Sequence, residues 1–335
     1  MKRQELLDAL EIVKPALAQK EIIEQSTSFA FMQGRVITYN DEISLSTPIP
    51  GLELEKDVAI QAEELYKLLG KIEREEIDIE VTDTELKVSA GRVKAGITLQ
   101  QEIKLPLEEV KPQGKWKAIP ANFVTGTAFV IPSCSKDMSK PIFTCVHVRA
   151  DGCVEASDNF RITRYTIGDM PADFLLPASS AKDLVRYNVK HILNNKGWAH
   201  FKTESDTIFS CRVYDGEFPK LDAILDVKGE EVEFPEKTLA ALDRASVFVN
   251  EEHSVDESVQ ISLGENKLKV KAKSDAGWFE ESLNIKYSNE PFEFSINPAF
   301  LQAIVSQLRS CVIGKRCLKF TGDKWIHVVA HFEGS

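Results

Sequence analysis

The residues able to do chemistry are few. The two closely spaced histidines, His327 and His331, lie in the stretch WIHVVAHF, which reads as a strand. Four residues along a strand separate them by roughly 13 Å, too far to share one metal ion. The six cysteines, Cys134, Cys145, Cys153, Cys211, Cys311 and Cys317, form no Cys-x-x-Cys pair, so free buried thiols are expected. Asp158 stands close before Arg161, an arrangement that could suggest acid chemistry. No partner carboxylate accompanies it, and a turn-capping role is expected instead. There is no Walker A loop, no Gly-x-Gly-x-x-Gly after a strand, no His-Glu-x-x-His and no Gly-x-Ser-x-Gly, the spacings that nucleotide, metal and acyl chemistry require. The expectation is a protein with no catalytic activity, no metal and no cofactor.

What remains is positive charge able to meet phosphate. The chain carries 41 Lys and Arg against 52 Asp and Glu, a net charge of −11, so its summed field repels a polyanion and leaves room only for a local basic surface. Lys67, Lys71 and Arg74 fall opposite Leu65, Leu68, Leu69 and Ile72 when 61–73 is wound as a helix. The split recurs: Lys182, Arg186 and Lys190 oppose Leu184, Val185 and Ile192, while Lys237 and Arg244 oppose Leu239 and Leu242. Near the C-terminus Gln302, Ser306 and Arg309 oppose Leu301, Ile304, Val305 and Leu308. Any one such face is ordinarily a solvated face or an i,i+4 pair such as Glu63 with Lys67. Four of six equivalent helices with this face in an acidic chain point to a basic lining. The first helix breaks the pattern, with Gln4, Asp8 and Glu11 outward.

The elements that position these residues form an internal repeat. A short alternating strand runs into a helix at 57–72, 115–131, 173–189, 231–247 and 291–308, and RQELLDALEIV at the start is a copy without its strand. Alternating segments follow each helix, for instance IDIEVT, ELKVSAG and RVKAGITL. Taken in pairs the copies predict three α+β domains near 1–114, 115–225 and 226–335, each with two helices on antiparallel sheets. With 43% hydrophobic and 28% charged residues the composition is that of a globular protein, and no apolar run approaches the roughly 18 residues of a membrane span. The N-terminus reads as an amphipathic helix and not a signal peptide, so a cytoplasmic protein is expected.

Two motifs carry a family resemblance. ASDNFRITRYTI at 156–167 and CRVYDGEFPKLDAIL at 211–225 resemble two stretches of the bacterial DNA sliding clamp, the beta subunit of DNA polymerase III. INPAFLQAIVSQL at 296–308 is similar to that family's last helix and WIHVVAHF to its final strand. The order of the four matches agrees with the repeat. Phe160 stands where the family usually has His, Asn159 where it usually has Gly, and the tail HFEGS differs from the family's ending. The chain thus looks like a divergent clamp, bacterial or phage-encoded.

The resemblance implies a head-to-tail homodimer of three-domain subunits closing a ring around duplex DNA, without sequence preference. For the DNA-facing surface it points to Lys67, Lys71, Arg74, Lys182, Arg186, Lys190, Arg244 and Arg309, together with Lys20 in the loop after the first helix. It implies a pocket that accepts a short linear peptide of the polymerase and of the clamp loader. Phe160, Arg161 and Ile162 would contribute from the turn, Pro219 and Ile224 from the second motif, Asn297 and Phe300 from the last helix, and Val328 and Ala330 from the last strand. For the subunit contact it implies the edge strand RVKAGITL, with Ala95 and Ile97, against an edge strand SVFVNE, with Val247 and Phe248. Two alternatives stand beside this one: a clamp-fold adaptor that never closes on DNA, and a trimeric two-domain clamp, which six repeats in one chain disfavour.

Overall fold

Helix α1 (Arg3–Val13) buries Leu6, Ala9, Leu10 and Val13, positions three and four apart that share one face. Pro15, which cannot continue the hydrogen-bond ladder, tightens the chain into a 3-10 turn over Lys14–Ala16. The computed structural model describes residues 1–100, 102–195, 197–249 and 258–333. Five further strand-to-helix passages follow, at the places where the repeat puts them. Their helices are α2 (Ala62–Lys71), α3 (Phe123–Val130), α4 (Ala178–Leu184), α6 (Thr238–Ser246) and α7 (Pro298–Val305). A short helix, α5 (Asp222–Leu225), lies inside the KLDAIL segment.

The chain folds into two compact units, one of Met1–Ala128, Val148–Asp151 and Gly168–Gly216, the other of Phe129–His147, Gly152–Ile167 and Glu217–Ser335. In the first, an eight-stranded antiparallel sheet runs in the order 58–61, 28–32, 35–39, 43–48, 208–212, 198–203, 189–195, 117–118. Phe29, Tyr39, Phe201 and Phe209 are fully buried against it, each burial contributing roughly 1.5–3 kcal/mol before entropy is counted. A separate three-stranded sheet joins Asp78–Val81, Glu85–Ala90 and Val93–Thr98, the last being an edge.

In the second unit one sheet runs 145–148, 153–157, 161–166, 325–330, 317–321, 310–313, 230–233, and a five-stranded sheet runs 277–284, 267–274, 259–264, 292–296, 332–333. Helices α6 and α7 pack on each other, with Ala241, Leu242, Ala245, Leu301, Ile304 and Val305 in one core.

Three expectations change. The strand expected over WIHVVAHF covers Trp325–Ala330 only, and Phe332–Glu333 pairs elsewhere, so the two histidines do not share a strand. SVFVNE is not an edge strand: α6 runs to Ser246 and Val247 to Val249 turn out of it through the bonds Phe248 N to Ala245 O and Val249 N to Ser246 O. Its last residues, Asn250 and Glu251, lie outside the described residues. Helix α2 ends at Lys71, one turn short of the stripe that includes Arg74.

Candidate functional site

The turn at 157–161 is built by Asp158. Its Oδ1 accepts from the backbone N–H of Phe160 (3.1 Å) and Arg161 (2.9 Å), and its Oδ2 accepts from Arg161 Nε (2.8 Å). A carboxylate held this way on both oxygens shapes a loop. Asn159 sits at φ 74°, a left-handed conformation that Asn tolerates better than most residues. The turn therefore keeps its shape where a Gly is usual. Arg161 also donates to the Pro132 carbonyl and lays its guanidinium over the Phe300 ring at 4.1 Å.

Beyond the turn, strand register makes a floor. Ile162 pairs with Val328, and Ala330 pairs with Cys317 on the next strand. Directly paired residues share a sheet face, as do residues two apart. Ile162, Val328, Ala330 and Cys317 thus form one strip across three strands. On the opposite face Thr163 Oγ1 bridges Ser133 (2.5 Å) and His327 Nδ1 (2.7 Å). Burial, with the Arg161 charge second, pushes the His327 pKa down to about 3, so its ring is neutral at ordinary pH.

A side wall comes from the segment after Gly216. Phe218 packs against His147 and Phe143 with ring centroids 4.9 and 6.0 Å apart, and Leu221 and Leu225 are buried. Arg164 fixes the segment electrostatically, donating to Asp222 at 2.7 Å and through Nε to Glu155 at 2.7 Å. The Glu155 side chain is 1% exposed and is answered on both oxygens, by Arg164 on Oε2 and by His147 Nδ1 at 2.9 Å on Oε1, as a costly buried charge requires. The Asp-Gly-x-Phe-Pro motif is in these terms an anchored wall.

Turn, floor and wall enclose a cavity of about 390 Å³. Phe160, Arg161, Ile162, Pro219, Ile224 and Val328 line it, as does Ala330. Phe160 is 36% and Ile224 54% exposed, so both stand at its mouth. Asn297 and Phe300 do not line it. Asn297 caps α7, its Oδ1 accepting from Ala299 N (2.9 Å) and Phe300 N (3.2 Å), while the Phe300 ring lies tilted against Phe160 with centroids 6.5 Å apart. Sequence reasoning missed Phe143, Leu221, Arg316 and Cys317. Alternation along 317–321, paired to the last strand, is the signal that could have found Cys317. Among the described residues, hollows of about 520 and 510 Å³ are larger, but neither gathers a comparable set of apolar side chains.

The basic residues divide. Lys20, Lys71, Arg74 and Lys182 are exposed, with no ion pair among the described residues. Arg74 lies past α2, beside Gly91, where an added Cβ would meet its guanidinium at 2.7 Å. Lys190 is on the strand Val189–Asn195 and half-buried, because the chain leaves α4 at Leu184 and the helical stripe ends there. Arg186 lies in the turn after α4, 3.3 Å from Asp183. Lys67 pairs with Glu63. Arg244 forms a two-pronged pair with Glu281 (2.6–3.0 Å) and Arg309, beyond the end of α7, reaches Glu233 at 3.1 Å. Arg244 and Arg309 are thus partly neutralised.

At the sites expected for the subunit contact, Val93–Thr98 is an edge strand with Ile97 buried, Ala95 half-buried and Val93 exposed. Val247 is 74% exposed, whereas Phe248 stacks on Phe279 at 6.5 Å. One edge strand of the five-stranded sheet is Gly277–Asn284, with an exposed Trp278. Among the described residues there is no cluster of three or more side chains able to hold a metal ion, and no helix is long and apolar enough to cross a membrane. The cysteines form no disulfide.

Residues 222–322 match the family described as DNA polymerase III beta subunit, C-terminal domain. No curated protein matches the sequence. Solved structures match over the whole chain. The DNA polymerase sliding clamp of Pseudomonas aeruginosa, crystallised with a ligand, superposes with a TM-score of 0.87 at 16% identity, covering 100% of this chain and 99% of that one. The DNA polymerase III beta subunit of Thermotoga maritima gives 0.84 at 18%, covering 100% and 99%. The sliding clamp of Bacillus subtilis gives 0.85 at 16%, covering 100% and 98%. The chain has the bacterial sliding-clamp fold, at a sequence distance that marks it as divergent.

Proposed function

We propose that this chain is a DNA sliding clamp, a non-catalytic processivity factor that closes around duplex DNA as a homodimer and tethers polymerase and clamp loader through short peptides. The observation that carries the reading is the clamp fold over the entire chain together with a cavity lined by seven of the nine residues to which the family motifs point. Three repeated domains near 1–114, 115–225 and 226–335 belong to this reading, as does a cytoplasmic location. Duplex DNA carries one charge per about 1.7 Å of axis, so exposed cations gain counterion-release energy without reading sequence. Lys20, Lys71, Arg74 and Lys182 are the strongest of the expected set.

Ring closure would join the edge strand Val93–Thr98 of one subunit to Gly277–Asn284 of the next, with Val93, Val247 and Trp278 covered. Exposed edges of this kind otherwise invite uncontrolled pairing. The test is topological: with a clamp loader and ATP the protein stays on nicked circular plasmid and leaves it on linearisation. Retention on linear DNA with open ends at physiological salt overturns the reading. The adaptor alternative draws on Ala95, a small side chain for a contact, and on the pairing of Arg244 and Arg309; a native mass of one subunit at micromolar concentration favours it.

A further inference from the structure

Two strand junctions inside the chain repeat each other. Ile43–Pro48 pairs antiparallel with Ile208–Arg212, and Arg161–Thr166 with Trp325–Ala330. In each, the first strand is the second arm of a hairpin, and four residues separate its last matched pair, Tyr39 with Ser44 and Ser157 with Ile162. Four also separate Lys273 from Trp278 in the hairpin that ends in Gly277–Asn284. On the other side, the hairpin leading into Trp325–Ala330 closes from Gly322 to Trp325, and the one leading into Val93–Thr98 closes over the same count from Ala90 to Val93. By these counts Trp278 occupies the place of Ser44 and Ile162, and Gly96 the place of Val328. Gly277–Asn284 and Val93–Thr98 are the two arms with no such junction, each at an edge of its sheet.

Carrying the pairing of Ile162 with Val328 onto a second copy joined head to tail sets Trp278 opposite Gly96, Phe279 opposite Ala95, Gly277 opposite Ile97 and Glu280 opposite Lys94. An indole that is 72% exposed thus meets a residue with no side chain. Phe279, backed by the Phe248 ring at 6.5 Å, meets a methyl group. Ile97 meets Phe248 across Gly277, where an added Cβ would touch that ring at 3.2 Å. Lys94, exposed and without an ion pair among the described residues, meets Glu280, which otherwise lies 3.8 Å from Lys271. Opposed side chains are the unit of sheet stability, and all four pairs are complementary in size or charge. A slip of two residues keeps the faces together but sets Phe279 against Val93 or Ile97 and Trp278 against Lys94 or Thr98, so neither ring finds a notch.

We propose that the subunit joint is a keyed contact that selects a second copy of this chain, Trp278 and Phe279 of one subunit seating in the notch made by Gly96 and Ala95 of the other. This rests on the ring reading above and adds which partner the joint accepts. A chain of the same fold with bulky side chains at the two notch positions is excluded by overpacking. Ala95, small when taken alone, is the counterpart of Phe279.

Lys94→Cys with Glu280→Cys tests the register, because directly opposed residues of an antiparallel pair have Cα atoms about 4.5–5.5 Å apart, within disulfide reach. Oxidation with copper phenanthroline should give a covalent dimer on a non-reducing gel. Lys94→Cys with Ser282→Cys, two residues off on the same face, should give about tenfold less, and the wild-type chain with its Cys317 sets the background. Ala95→Phe should raise the dimer dissociation constant about tenfold. Adding Phe279→Ala should recover self-pairing in a folded chain that does not exchange subunits with wild type. A dimer by native mass in which the 94–280 pair cross-links no better than 94–282 overturns the register. Dimers of Ala95→Phe as tight as wild type, or free exchange of the double variant with wild type, overturn the keyed contact. A native mass of one subunit for the wild-type chain at every concentration overturns the ring reading beneath both.

Discussion

Arg161 and Arg244 are both arginines with a carboxylate partner, and they behave differently. The Arg161 side chain is 14% exposed; its strand pairing, the Asp158 turn and the Phe300 ring leave it one position. Arg244 is 50% exposed on the outer side of α6 and meets Glu281 across solvent. In the cavity the backbone register decides where charge sits. On the helices a long side chain chooses among nearby acids, and solvent screening makes the choice cheap to reverse. A cation fixed by the fold is part of a site, whereas one held by a surface pair is available to a competing anion.

The largest expected effect lies on the fixed side. Replacing Arg164 by Met takes the guanidinium from the buried Glu155 carboxylate, which keeps His147 Nδ1 at 2.9 Å, and should destabilise the second unit by about 3 kcal/mol in urea unfolding at neutral pH. A loss below about 1 kcal/mol would mean that the cavity wall is no better fixed than the helix cations, and the contrast would fail.

An acid titration comes next. Burial lowers the pKa of His200 in the first unit to about 4, and burial with the Arg161 charge lowers that of His327 in the second to about 3. A base whose folded pKa lies below its unfolded value of about 6.5 favours folding above pH 6.5. That contribution is lost as pH falls toward the folded pKa, because only the unfolded chain takes up the proton. Between pH 6.5 and 5 each histidine should cost about 2 kcal/mol of unfolding free energy. His327→Gln should flatten the acid slope of the second unit only, and His200→Gln that of the first. If both variants flatten both slopes equally, the two environments are not independent and the comparison must be redrawn.

The smallest effect tests the chosen cations. Lys71→Ala with Lys182→Ala should lower the slope of log affinity against log salt for duplex DNA by about 1.8, or about 0.9 for each phosphate no longer neutralised. Arg244→Ala should change it by less, since binding must first release Glu281. Glu281→Gln then sharpens the point, because it should bring Arg244 into the salt dependence.

The repeat was readable because each copy joins two local signals, an alternating strand and a helix of period 3.6. The turn of Asp158 and the row Ile162–Val328–Ala330 were readable for a related reason, since motif spacing and backbone register fix them together. Phe300 and Asn297 were misplaced by one layer, because a segment can be adjacent to a cavity while its side chains serve to cap and stack. The edge strand expected at SVFVNE failed because β-branched and aromatic residues at the end of α6 mimic a strand's composition. The helical placement of Arg74 and Lys190 failed because a helical wheel carries no sign of where the helix stops. Pairing of Arg244 with Glu281, 37 residues apart, depends on how α6 meets the strand Gly277–Asn284, which no local pattern encodes.

Asn159 has a consequence in chain entropy. A glycine at its left-handed position would populate many more backbone states in the unfolded chain and in any transient opening of the turn. With asparagine the alternatives are fewer, and the loop bearing Phe160 is ordered before a ligand arrives. Less of the binding energy is then consumed in organising the receptor. On the peptide-pocket reading, asparagine at this left-handed position would leave the mouth of the cavity with less ordering to do on binding than glycine would.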